Sequence, residues 1–118
     1  MAAPTLDFWY DLASSYSYLA AHRITPLAKE AGVDVRWRPF LLGPVFKAQG
    51  MDTSPFNLFP IKGRYMWRDM ERCAAELGLV FRGPSTFPQV SVLPGRIALV
   101  GLDEGWGEDF TRAVYVAE

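Results

Sequence analysis

The stretch "DLASSYSYLAAH", residues 11–22, sets three serines and two tyrosines where a short apolar run gives way to a helical pattern. A helix that starts at such a corner presents unpaired backbone amides and about half a positive charge. That combination favours an anion, whether phosphate, carboxylate or thiolate, and redox enzymes use it to depress the pKa of a cysteine. Here the corner reads Ser14-Ser15-Tyr16-Ser17 and holds no thiol. A serine hydroxyl can instead donate a hydrogen bond to a thiolate carried in by a ligand. The same serine is also a preferred N-cap, worth about 1 kcal/mol with no catalytic role. The local pattern leaves both roles open.

Other reactive groups are few. The 118 residues contain one cysteine, Cys73, and one histidine, His22. One of each rules out a multi-histidine site, a thiolate cluster and an internal disulfide framework, so no metal site is expected. His22 falls inside the first helical pattern and reads as a surface or packing residue, Cys73 as a small buried apolar one. Asp11 is placed to shape the turn. The twelve basic residues are interleaved with thirteen acidic ones for a net charge of −1, which leaves no electrostatic footprint for nucleic acid. No apolar run reaches spanning length and Met-Ala-Ala-Pro is no signal peptide. A soluble, cytoplasmic protein that binds neither nucleic acid nor membrane is the expectation.

The elements that must hold the serine corner follow from periodicity. "TLDFWY", residues 5–10, is apolar on both alternating faces and predicts a strand covered on both sides. A helix follows from Ser14, with Leu19, Ile24, Leu27, Ala28 and Ala31 on its apolar side and Gly32 as its stop. Pro26 predicts a kink or break near residues 23–25. Residues 33–38, "VDVRWR", alternate and predict a second strand with one wetter face. Strand, helix and strand of these lengths make a right-handed βαβ crossover. Residues 41–57 carry Gly43, Pro44, Gly50 and Pro55 and predict an irregular segment. A helix is expected over 60–77 with Gly78 as its stop, then a loop over 81–88, then helices over 96–100 and 109–117. Two strands alone leave faces and edges unsatisfied. The chain therefore reads as ending mid-helix, with the rest of the sheet supplied by further chain or by a partner.

With these elements in place, "DFWYDLASSYSYLAAHRI" resembles the N-terminal signature of 2-hydroxychromene-2-carboxylate isomerases and kappa-class glutathione transferases. These are thioredoxin-fold relatives of the bacterial disulfide oxidoreductases, with a helical domain inserted into the fold. "RPFLLGPVF" and "PFNLFPIKGRYMWRDMER" resemble the segments that follow, and "FTRAVYVAE" is similar to the end of the inserted domain. The resemblance implies an α/β, thioredoxin-like βαβ start over residues 1–40 and an inserted all-helical domain over 41–118, with the C-terminal strands absent. It further implies glutathione as cofactor. Ser14 in "SxxSYL" would hydrogen-bond its sulfur, Lys62 in the "K-G-x-Y" context would contact it, and Thr53 stands nearest a family asparagine. Tyr65 and Trp67 are candidate walls of an aromatic-substrate pocket, although the helical spacing of Tyr65, Met66, Trp67 and Met70 favours a core. Arg96 matches a family arginine in a helix that Pro94 and Gly95 should delay.

The implied activity is a glutathione-dependent cis-trans isomerisation of an intermediate of aromatic catabolism. The thiolate adds reversibly to a conjugated 2-oxo acid, the temporary single bond rotates, and the thiolate is expelled. A glutathione transferase with another acceptor and a catalytically inactive interaction module are the alternatives. A homodimer or domain-swapped oligomer is the expected assembly.

Overall fold

A computed structural model describes residues 3–84 and 86–117. The chain runs β1 (Thr5–Tyr10), α1 (Ser15–Ala31), β2 (Asp34–Pro39), α2 (Leu42–Ala48), α3 (Pro55–Leu58), α4 (Pro60–Glu76), α5 (Val92–Glu104) and α6 (Gly107–Ala117). The two strands pair in parallel, with Phe8 opposite Trp37 and Trp9 opposite Arg38. A parallel pair needs a crossover, and α1 supplies it.

Alternation sorts the sheet into two unlike faces. Phe8, Tyr10 and Trp37 lie on one, where Trp37 meets Phe8 edge-on at 5.1 Å and Tyr10 at 5.5 Å between ring centroids. Tyr10, Trp37, Tyr18, Leu19, Met66, Met70, Ala98 and Tyr115 form the core with α1, α4, α5 and α6. The other face carries Asp7, Trp9, Arg36 and Arg38. Asp7 accepts from Arg36 Nε at 2.7 Å and Arg38 Nε at 3.0 Å, and these two bonds hold its carboxyl below the usual range. Trp9 lies under the Arg38 guanidinium, 5.2 Å from centroid to Cζ, and remains 57% exposed. Strand β1 is therefore covered on one face by this chain, not on both, because Asp7 and two arginines occupy the second face.

Helix α1 starts and stops where the signals place it. Ser14 is the N-cap, its hydroxyl accepting from the Ser17 amide at 3.3 Å, and Gly32 closes the helix at φ 70°. Only glycine adopts that left-handed geometry without a Cβ penalty. The expected break before Pro26 is absent. Pro26 sits on the exposed side, where its ring has room and water can serve the carbonyl that lost its donor.

Two further expectations are corrected. Residues 41–57 are not irregular throughout, since α2 and α3 form within them. Pro44 falls in the first turn of α2 and Pro55 opens α3 behind the Ser54 cap, positions where a missing amide hydrogen costs nothing. For the same reason α5 starts at Val92 and not near Arg96, with Pro94 in its first turn.

Helix α4 buries Gly63, Met66, Met70 and Ala74 on one stripe. At its contact with α1 the Tyr16 hydroxyl donates to Asp69 Oδ2 at 2.7 Å, and the Cys73 thiol donates to Oδ1 at 3.7 Å. Cys73 is thus half-buried and polar in its contacts, not a purely apolar filler. Desolvation, and then the Asp69 hydrogen bond, push the Tyr16 phenol up to about 12 from its ordinary 10.0. A group whose folded pKa is raised contributes stability below the unfolded pKa and loses it as pH climbs through the folded one. Stability from this pair is therefore expected to be intact below pH 10 and lost towards pH 12. Spectrophotometric titration should show a late-ionising tyrosine that moves towards the ordinary value in Asp69→Asn, while Tyr10 and Tyr18, which burial also raises, stay as they are. An unchanged titration curve in that variant would contradict the assignment.

Candidate functional site

The corner between β1 and α1 is tied to distant parts of the chain by Asp11. Asp11 is 5% exposed, and its carboxylate accepts from three donors. Oδ1 takes the Ala13 amide at 2.8 Å and the Ser91 hydroxyl at 2.7 Å, and Oδ2 takes the Leu42 amide at 2.7 Å. Its backbone carbonyl accepts from the Ser14 amide at 2.9 Å and from the Tyr115 hydroxyl at 2.6 Å. Tyr10, one residue earlier, shares a buried 2.9 Å hydrogen bond with the Thr111 hydroxyl. Residues from α6, from the start of α2 and from the residue before α5 thereby set the backbone from which Ser14 projects.

Ser14 itself is in extended geometry, φ −87° and ψ 130°, with its oxygen accepting from the Ser17 amide. The cap uses the hydroxyl as an acceptor and leaves its hydrogen free to donate elsewhere. No acidic residue stands in the first turn of α1 to neutralise the positive end of the helix.

Two cavities meet at this point. The larger, about 370 Å³, lies towards α4 and α6 and is walled by Tyr18, Trp67, Phe81, Arg82 and Tyr115. The smaller, about 270 Å³, lies towards α2 and α3 and is walled by Leu42, Asp52, Thr53, Phe56 and Ser91. Ala13, Ser14, Ser15 and Phe87 line both. The larger falls at the lower end of small-molecule sites, roughly 300–1,000 Å³, and the smaller just below it.

The residues singled out by sequence are distributed unevenly around them. Ser14 borders both cavities, Thr53 the smaller and Trp67 the larger. Thr53 Oγ1 accepts from Asn57 Nδ2 at 3.2 Å, and the same amide donates to the Phe87 carbonyl at 2.9 Å. Lys62 lines neither cavity; its Nζ stands 5.7 Å over the ring of Phe56, which does. Tyr65 also lines neither and is 65% exposed. Its position two residues before Trp67 turns it roughly 200° away around the helix. His22 is engaged locally, its Nδ1 lying 2.9 Å from the Tyr18 carbonyl. Arg82, Phe87 and Ser91 lie outside every motif, and Thr111 and Tyr115 fall within "FTRAVYVAE" with nothing local to single them out. Among the described residues no three His, Cys, Asp or Glu side chains cluster so as to hold a metal ion, and no helix is long and apolar enough to cross a membrane.

A parallel βαβ unit with a serine at the crossover helix's N-cap, carrying a block of helices, defines an α/β protein of the thioredoxin-like class. The DSBA-like thioredoxin domain matches residues 5–117, and the chain belongs to that family. It is 33% identical over 85 residues to "Glutathione S-transferase kappa 1" of Caenorhabditis elegans, covering 71% of this chain and 37% of that protein. It is 34% identical over 85 residues to a 2-hydroxychromene-2-carboxylate isomerase of Sphingobium xenophagum, covering 71% of this chain and 41% of that one. Among solved structures, a 2-hydroxychromene-2-carboxylate isomerase superimposes with a TM-score of 0.72 at 25% identity, over 96% of this chain and 55% of the other. The chain thus spans about half or less of the length of these relatives.

Proposed function

We propose that this chain forms one side of the site of a glutathione-dependent enzyme of the 2-hydroxychromene-2-carboxylate isomerase type. The observation that carries the reading is the placement of the Ser14 hydroxyl. It accepts a cap hydrogen bond, keeps its own hydrogen to donate, and stands on the wall shared by two cavities. A site of this kind fits glutathione, since the turn has a donor for a sulfur and no competing cysteine. Bound glutathione supplies the nucleophilic thiol for addition to a conjugated substrate. Ser14 donates to that sulfur and, with the positive end of α1, favours its ionised form. Trp67, Phe81 and Phe87 offer an apolar wall to the substrate and keep water from it. We read residues 1–40 as the βαβ half of the thioredoxin-like domain and 41–118 as a helical insert that builds the far walls of both cavities.

Calorimetric titration of glutathione into the chain and into Ser14→Ala tests this. Affinity is expected to fall at least tenfold in the variant, the scale of one charge-assisted hydrogen bond. Loss of the cap should cost about 1 kcal/mol of stability, and circular dichroism of the variant checks that it is folded. Equal affinity of the two proteins would sink the proposal. A transferase with another acceptor is the second reading, favoured by the similarity to the kappa-class enzyme. Turnover of a chromogenic electrophile in place of hydroxychromene carboxylate would select it.

A further inference from the structure

The two cavities beside Ser14 differ in the sign of the charge they present. The smaller holds Asp52, together with the fully engaged Asp11, and no cation. The larger holds Arg82 as its one charged residue among those described. No other arginine lines either cavity, and four of them are held in ion pairs. Arg36 and Arg38 pair with Asp7, Arg68 with Glu71, and Arg112 with Asp109. Arg82 pairs with no carboxylate among the described residues. A guanidinium presents its donors in a rigid fork that matches a carboxylate in two parallel hydrogen bonds.

The rest of that cavity selects for flat ligands. Trp67 and Phe81 stack with centroids 6.0 Å apart and 24° between planes, and Phe87 meets Trp67 edge-on at 4.9 Å. An array of ring faces and edges of this kind takes up planar unsaturated groups by offset or edge contacts. A neutral flat ligand would use the rings alone, and a flat ligand with a carboxylate would use the rings and Arg82 together. An anion placed in the smaller cavity would instead meet Asp52.

We propose that Arg82 is a specificity-determining residue that makes the larger cavity the compartment for a flat, conjugated carboxylate, holding the anionic end while the rings of Trp67, Phe81 and Phe87 hold its plane. This assignment of the acceptor side rests on the reading of Ser14 as the thiol site, and it leaves the Thr53 side to glutathione's own chain, whose ammonium group can meet Asp52 there.

The test is made without glutathione, so that the two readings stand or fall separately. Binding of 2-naphthoate and of its neutral isostere 2-naphthamide to the chain is followed by ligand-observed NMR. Naphthoate is expected to bind about tenfold more tightly. Arg82→Gln should remove that difference while leaving naphthamide affinity unchanged, which also shows the variant to be folded. Arg82→Lys should keep a smaller preference, since an ammonium is a point charge without the fork. Trp67→Leu should weaken both probes together, which locates them in the larger cavity. Equal affinities in the unsubstituted chain, absence of binding by either probe, or a preference that survives Arg82→Gln would each overturn the proposal. A carboxylate preference lost with Arg82, in a protein whose glutathione affinity ignores Ser14→Ala, would uphold the anion compartment and overturn the thiol site alone.

Discussion

Asp11→Ala is expected to lower the unfolding free energy by about 3–5 kcal/mol, the scale of a buried charged hydrogen-bonding group removed from its partners. The substitution strands three donors at once, the amides of Ala13 and Leu42 and the hydroxyl of Ser91. Each buried donor left without a partner costs about 1–3 kcal/mol, and removal of the carboxylate's own desolvation penalty offsets part of the sum. Asp11→Asn should cost less, roughly 1–3 kcal/mol, because one amide oxygen still accepts while the amide nitrogen faces a donor. Urea unfolding measures both. A loss within about 1 kcal/mol of the unsubstituted chain for Asp11→Ala would mean that the three donors find water, and that the corner is not held by this carboxylate. The effect bears on function as well as stability. Ser14 hangs from the same turn through the hydrogen bond that its backbone amide donates to the Asp11 carbonyl. A variant that stays folded should therefore also bind glutathione more weakly, without any contact between Asp11 and the ligand.

The second large effect is expected from Gly63→Ala. Gly63 is buried in α4, and a Cβ there would run into the carbonyl oxygen of Phe56 in α3. Backbone cannot rotate aside as a side chain can, so α3 or α4 must shift. Overpacking of this kind costs about 1–3 kcal/mol. Helix propensity pulls the other way, since alanine is better than glycine in a helix interior by about 1 kcal/mol. A net loss is expected because the contact is with main chain. Gly43 in α2 serves as the comparison, as a Cβ there meets nothing within 4 Å. Gly43→Ala should be neutral or stabilising by up to about 1 kcal/mol. Thermal unfolding of the two variants separates packing from propensity. Equal behaviour of both would show that α3 moves freely over α4. Displacement of α3 carries Phe56 with it, and Phe56 lines the smaller cavity and supports Lys62. Gly63→Ala should then perturb the Thr53 side of the site before the Trp67 side.

Both predictions depend on contacts of a kind that the linear pattern does not carry. What the sequence determined by itself was local. The aromatic run "TLDFWY", the alternation of "VDVRWR", the serine at the start of α1, Gly32 at its end and the apolar stripe of α4 each act within a few residues, through sterics, capping and periodicity, and they set β1, α1, β2 and α4 closely. The resemblance carried by "DLASSYSYL" placed Ser14 at the corner for the same reason, as a motif contained in one turn. Where local signals compete, the reading was poorer. Proline and glycine in residues 41–57 and 92–95 suggested loops, but proline in a first turn surrenders only an amide that has no partner there, and helices formed.

Tertiary structure alone decided what the corner is made of. Asp11 draws partners 31, 80 and 104 residues away, and Tyr10 one 101 residues away. No period or cap rule relates residues at such separations. It also decided that Trp67 enters a cavity while Tyr65 points to solvent, since α4 can bury only the stripe that faces α1 and the core. Finally it set Arg82, an ordinary loop residue in the sequence, on the wall of a cavity that Ser14 also lines. A serine cap is a property of one helix end, whereas a site needs walls, and those come from wherever the folded chain returns to that end.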